Sequence, residues 1–525
     1  MPLRGGLVEE ESALAPAVAA GADLIPSAPI TGASVAALTV GGLVLQVLLK
    51  ARGLVVVPLY AHLLEPHALG VVTLGAAIAS FIAPFLHLGL PMGLLVELPH
   101  RASGGPTTRA LRTSVAVVAA AAVAACAILP WVLRRGPWPS LAAVAPHALA
   151  VGTFAAGMAL REMGQIVPQL RRQLQFLAGV GLAVDYGGVT LGLLLVFFGW
   201  GPGGLLWGLA VATVAAAAVA IRRSMAIVGH GGGADLAFVG SALAIGVPTV
   251  LLTTAQWIVQ SADRFFLAHY GGAAVVGIYG LGYSVASAVL AVAAALNLLF
   301  VPVSANLLRS APSRLVRFVE ESFRIVVVVL GLCVAGACVL GGPVMARLGG
   351  ASYAAAGRLL PMMVTSYALL TLTQLLQWVP MTITRSVRPV MAGYGVAAVL
   401  NLALDLALIP VLGMQGAVLA ATAAYAVGVV LMGAAARRAL PGWRWTTALP
   451  GLGLATAAAI AGWLSRLPSD AGATTILAAG AGVVILYTGA AVAFKAVGGQ
   501  DFALLRSALT IAASRLGTGK TAPDE

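Results

Sequence analysis

This sequence is short of charge. Only 9% of its 525 residues are Asp, Glu, Lys or Arg, against the roughly 25% usual in soluble domains, which excludes an ordinary water-facing globular surface. The three cysteines, Cys126, Cys333 and Cys338, each lie inside an apolar run; small buried hydrophobes are expected there, not a disulfide framework or a thiolate metal site. The seven histidines lack metal-ligand spacing, and His62, His67 and His269 are expected at an outer surface with no chemistry of their own. No Gly-rich phosphate loop occurs, so ATP is not hydrolysed here and no cofactor is expected. Nor does the N-terminus have the basic flank and cleavage site of a signal peptide. It offers Glu9, Glu10 and Glu11, then an Ala/Pro-rich run, so residues 1–33 are expected to be a disordered cytoplasmic tail.

Hydrophobic residues make up 60% of the chain, and mean hydropathy is +1.00. Spanning a ~30 Å hydrocarbon layer takes roughly 20 apolar residues per helix, and such windows run almost end to end. The expected fold is an all-α polytopic membrane protein with about fourteen spans: 37–63, 69–97, 113–133, 141–160, 174–198, 203–221, 236–262, 276–302, 322–346, 357–380, 389–409, 415–436, 449–466 and 473–495. Every connection between them is short.

Positive charge orients these spans. With the N-terminus inside, cytoplasmic segments hold 22 of the 30 basic residues, the opposite side holds Arg134, Arg135, Arg264, Arg347, Arg358 and Arg466, and the remaining two are Lys50 and Arg52. Both termini are then cytoplasmic, 497–525 being a second tail. The net charge of +13 follows from this inside bias and from attraction to anionic headgroups, and calls for no nucleic acid.

An internal repeat appears at an offset of 207 residues. "AHLLEPHALGVVTLGAAIAS" (61–80) set over "AHYGGAAVVGIYGLGYSVAS" (268–287) matches at seven of twenty positions, Gly70/Gly277 and Gly75/Gly282 among them. An offset of six helices keeps both copies in one orientation. It implies a lobe at 34–223 and a second at 236–438, related by an axis along the membrane normal, with 449–496 appended.

Four stretches then resemble the multidrug/oligosaccharidyl-lipid/polysaccharide exporter superfamily, and within it the polysaccharide transporters of the O-antigen flippase type. They are "VVVPLYAHLLEPHALGVVTL" (55–74), "SADRFFLAHYGGAAVVGIYGLGYSVA" (261–286), "LGGASYAAAGRLLPMM" (348–363) and "NLALDLALIPVLGMQGAVLAATAAYAVG" (401–428). In the last, Asn401, Pro410, Gly413, Gly416, Ala417 and Thr422 stand where the family's pattern places them, and Asp405 departs from it. Physics alone accounts for part of this motif, since Pro410 cannot continue a helix and Gly413 and Gly416 permit a tight reversal. The resemblance runs from 37 to about 440 and implies a flippase for an undecaprenyl-diphosphate-linked oligosaccharide in the bacterial inner membrane. The protein would serve surface polysaccharide synthesis, lipopolysaccharide or exopolysaccharide, acting as a monomer beside a polymerase and glycosyltransferases.

Charges within spans single out the candidate site. A cation at mid-helix costs about 2.5 to 3.5 kcal/mol on insertion scales, and Lys50 and Arg52 lie near the middle of 37–63. Three readings stand: the helix stops at Leu49, the cations pair with acids on a neighbour, or they face a solvated cavity that attracts anions. The two differ by roughly 200° around the axis. Lys50 lies on the small or polar stripe Thr39, Gly42, Gln46, Gly53, Val57 and Tyr60, which makes it the better cavity residue, and Arg52 lies on an apolar stripe. Gln46, Asp185, Asp263, Arg264, Gln374, Gln377, Asn401 and Asp405 are further cavity or coupling candidates, with pairing to a buried cation as the alternative for Asp185, interhelical bonding for Gln374, Gln377 and Asn401 and a structural boundary for Asp263 and Arg264.

Two other functions compete with the flippase. A multipass glycosyltransferase, polymerase or ligase needs a sizeable outer loop, which the short connections do not supply. An ion-coupled multidrug exporter of the same superfamily favours acids in its cavity; Lys50 and Arg52 argue against it, Asp185 and Asp405 for it.

Overall fold

The structure is a computed structural model that describes residues 59–100, 105–136, 139–229, 231–310, 312–384, 386–494 and 496. All regular structure among these residues is helical, as a chain in hydrocarbon must satisfy its backbone within each segment. Ten helical stretches among them are long and apolar enough to cross a membrane. The first expected span, 37–63, lies almost wholly outside the described residues. Each of the other thirteen expected spans has a helical counterpart. The chain divides into two compact units, whose described parts are Leu63–Gly277 and, with 59–62, Ile278 onward.

The first unit opens with α1 (Pro66–His87) and α2 (Leu90–Glu97), expected as one helix and divided by Leu88 and Gly89, both at positive φ. The break is held by the Leu88 N–H donating to Pro84 O (2.9 Å) and the Gly89 N–H donating to His87 Nδ1 (3.1 Å). It continues with α3 (Gly105–Arg135), α4 (Ala148–Leu170), α5 (Leu174–Leu182), α6 (Gly188–Leu195), α7 (Gly201–Val228), α8 (Leu236–Ser261) and the first half of α9 (Asp263–Ala286). Helices α4 and α7 share the most extensive packing in the unit; there Ser224 donates to Gly164 O at 2.6 Å, a hydroxyl satisfied across a close helix pair. Helix α8, which the repeat expectation groups with the later helices, packs on α1, α2 and α3.

The two glycines that the 207-residue offset pairs meet within this unit. A Cβ on Gly70 would overlap Ala273 O, and one on Gly277 would overlap Pro66 O. Only glycine permits this approach of α1 to α9.

The second unit holds the end of α9, α10 (Leu290–Ser310), α11 (Pro312–Gly349), α12 (Ala354–Leu376), α13 (Trp378–Thr384), α14 (Arg388–Leu412), α15 (Met414–Ala439), α16 (Leu449–Leu464) and α17 (Ala473–Ala493). Helix α11 begins ten residues before the expected 322, because its first turns, with Arg314, Arg317, Glu320 and Glu321, are polar helix outside any apolar window. Helix α12 packs on α11 and α15, α14 on α15, and the appended pair α16 and α17 on α11. The reversal between α14 and α15 turns at Gly413, at φ +56; Pro410 does not end α14, which runs on to Leu412 with the proline inside its last turn.

Candidate functional site

The second unit carries a polar core on helices whose outer faces are oily. Asn401 and Asp405 lie four residues apart on α14, hence on one face, and both are buried, at 1% and 0% exposure. Across α12 and α15, the Ser366 and Thr422 hydroxyls stand 2.6 Å apart, each also within reach of a carbonyl one turn back in its own helix, so that one donates to the other and the second to its carbonyl. A tyrosine column adjoins them. Tyr279 stacks on Tyr283 at 5.2 Å between ring centroids, Tyr283 leans on Tyr367 at 4.7 Å, and the Tyr283 and Tyr425 hydroxyls stand 3.4 Å apart. Among the described residues the Asn401 amide and the Thr371 hydroxyl find no hydrogen-bond partner, so this core has capacity beyond the bonds it makes. A buried acid and amide on one spanning helix mark functional ground by default.

Asp185 sits in the first unit, half-buried, on a π-helical turn, Ala183–Gly187, between α5 and α6. Such turns are rare and recur at functional sites. Asp263 is 2% exposed and accepts the backbone N–H of Arg264 at 2.8 Å. The Arg264 guanidinium turns back on the end of α8, donating to Gln260 O (3.2 Å) and Ser261 Oγ (2.7 Å). These two residues thus stitch the α8–α9 junction.

Gln374 and Gln377 are half-buried at the end of α12. Gln46, Lys50 and Arg52 lie outside the described residues. Among the described residues no group of three or more His, Cys, Asp or Glu could hold a metal ion, and the three cysteines are free thiols. Sequence reasoning missed the tyrosine column and the contact of His87 Nε2 with Glu162 Oε2 at 3.1 Å. The four-residue spacing of Tyr279 and Tyr283 was the available signal, hidden because tyrosine reads as apolar in a hydropathy window.

Residues 59–357 match the family model described as "Polysaccharide biosynthesis protein". A sequence search of curated proteins finds no match. Among solved structures, the lipid II flippase MurJ in its inward closed conformation matches with a TM-score of 0.67 at 11% identity, over 88% of this chain and 98% of that one. A multidrug resistance MATE family transporter of the MOP superfamily, inward-facing, matches at 0.51 and 12% identity, over 80% of this chain and 98% of that one. A variant of the Vibrio cholerae MATE transporter VcmN matches at 0.50 and 14%, over 81% and 98%. At these identities the structural matches establish the fold, and the family model covers more than half of the sequence. The chain therefore belongs to the polysaccharide biosynthesis protein family, as a multipass membrane protein built on the fold shared by transporters of the multidrug/oligosaccharidyl-lipid/polysaccharide superfamily.

Proposed function

We propose that this chain flips an undecaprenyl-diphosphate-linked oligosaccharide across the bacterial cytoplasmic membrane for surface polysaccharide synthesis. The observation that carries the reading is the conjunction of a polysaccharide biosynthesis family match over 59–357 with the fold of a lipid II flippase over 88% of the chain. Two six-helix lobes, 34–223 and 236–438, would expose a cleft alternately to either side, with 449–496 appended and both termini in the cytoplasm. A diphosphate and its sugars cannot cross hydrocarbon unaided, while the lipid tail can stay in the bilayer. Lys50, on its polar stripe with Gln46, offers the diphosphate a midplane cation, and Arg52, on the opposite face, supports it or is paired on a partner helix. The chain performs transport and no bond-breaking chemistry.

Complementation of a deletion strain tests this reading. Loss of the gene is expected to abolish the surface polysaccharide and to trap its lipid-linked precursor in the inner leaflet, and the wild-type chain to restore export. Lys50→Arg should restore part of it, Lys50→Ala little and Lys50→Glu almost none, at equal membrane levels. A deletion that leaves both polysaccharide and precursor unchanged overturns the function; normal export by Lys50→Glu removes Lys50 as the anion site.

A further inference from the structure

The second unit divides its charge unequally between the two ends of its helices. Of its eleven described basic residues, eight (Arg309, Arg314, Arg317, Arg324, Arg388, Arg437, Arg438 and Arg444) stand at one set of helix ends, and only Arg347, Arg358 and Arg466 at the other. By the bias of basic residues toward the cytoplasm, the sparse end is the outer one. Its three cations are gathered in one place. Arg347 and Arg358 flank the turn between α11 and α12, and Arg466 lies in the turn between α16 and α17. The α16–α17 turn is tied to the last turns of α11: Leu467 N–H donates to Val339 O at 3.0 Å, and Arg347 Nη2 donates to Ala471 O at 2.5 Å.

Between them opens a hollow of about 640 Å³ lined by Arg358, Arg466, Ser469, Trp463, Pro361 and Met362, with small residues of α11 and α12 as its floor. Among the described residues no acidic side chain lines it; Asp470 follows Ser469 in the same turn and is exposed. Among the described residues neither Arg358 nor Arg466 makes an ion pair or hydrogen bond; the Arg466 guanidinium rests over the Trp463 ring, 5.3 Å from its centroid. Both arginines are exposed, so their mutual repulsion is weak in water, and an anion entering the hollow meets two cations that no carboxylate neutralises. Guanidinium groups match phosphate oxygens in pairs.

The surroundings fix what carries the anion. Ile460, Trp463, Leu464 and Leu477 are exposed, from 56% to 73%, so the hollow opens beside a lipid-facing wall of α16 and α17. An exposed Trp in the last turn of a spanning helix, as Trp463 is in α16, marks headgroup depth. We infer that this hollow binds the phosphate or diphosphate of a lipid in the outer leaflet, with Arg358 and Arg466 on the phosphate oxygens and the first methylenes of the chain against Met362 and Trp463. Its outer placement rests on the orientation given under Proposed function; the binding chemistry does not.

Native mass spectrometry of the detergent-purified full chain tests the site without any transport step. The probes are phosphatidylglycerol, phosphatidylcholine, undecaprenyl diphosphate and inorganic diphosphate. Wild type is expected to retain an anionic lipid in preference to phosphatidylcholine. Arg358→Gln and Arg466→Gln should each weaken it roughly fivefold, and the pair roughly 25-fold, from the per-residue worth of a basic group near a lipid surface. The double Lys variant should keep most of the binding. Arg347→Gln, whose guanidinium is engaged by Ala471, should change it less than twofold. Retention of phosphatidylglycerol as well as undecaprenyl diphosphate supports a site for a resident lipid; retention of undecaprenyl diphosphate alone supports a subsite for the flipped cargo. Unchanged binding in the double Gln variant, or inorganic diphosphate held as firmly as any lipid, overturns the proposal. A chain that binds but does not flip would count against the flippase reading alone.

Discussion

A carboxylate within a spanning helix is expensive unless something uses or partners it, and Asp185 stands on a turn widened by one residue. Such turns recur at functional sites, and we propose that this acid couples transport to a proton. Asp185→Asn is expected to insert and fold as wild type while transport in vesicles loses its stimulation by an imposed proton gradient. Equal stimulation in the variant would leave Asp185 a structural role only. The residue itself was legible in the sequence, as were Asn401 and Asp405, because a polar letter in an apolar run stands out against hydrocarbon. The π-turn was not, since an i→i+5 bond has no residue signature. The Tyr279, Tyr283, Tyr367 and Tyr425 assembly was illegible for another reason: it joins α9, α12 and α15, and only packing reveals that those rings meet.

At the scale of elements, the appended pair is fastened at Gly331 on α11. A Cβ there would overlap Tyr487 Oη from α17 and stand 2.6 Å from Ala455 Cβ of α16, so the close meeting of three helices depends on the absent side chain. Val328, Ala335, Tyr487 and Ala491 form a buried cluster around this point. Gly331→Leu is expected to cost about 1–3 kcal/mol or more through overpacking, lowering the thermal midpoint and exposing the 440–448 connection to protease, with Gly331→Ala the milder. Protease resistance and a midpoint equal to wild type in Gly331→Leu would refute this fastening. Helix existence was legible here and helix ends were not. The charged start of α11 and the Leu88–Gly89 break lie beyond what an apolar window registers, the first because its turns face water, the second because it depends on the backbone of α8 beside Gly89.

For the whole molecule, the bilayer made the sequence unusually readable. Without water to satisfy backbone groups, apolar runs must be helices, and the low cost of cations on the cytoplasmic side writes orientation into the loops. The 207-residue repeat pairs Gly70 with Gly277, and the structure brings those two positions into backbone contact, a relation that twenty aligned letters could hint at but not locate. What composition could not supply is the cargo, because one fold is shared by a lipid II flippase and a multidrug resistance transporter. The most direct measurement is therefore translocation itself. Purified protein is reconstituted into vesicles carrying a fluorescent undecaprenyl-diphosphate oligosaccharide in the inner leaflet, and the arrival of label outside is followed with a membrane-impermeant quencher. The account predicts protein-dependent arrival that a matched neutral glycolipid lacking the diphosphate does not show. Arrival no faster than in protein-free vesicles, or equal transport of the neutral lipid, would contradict it.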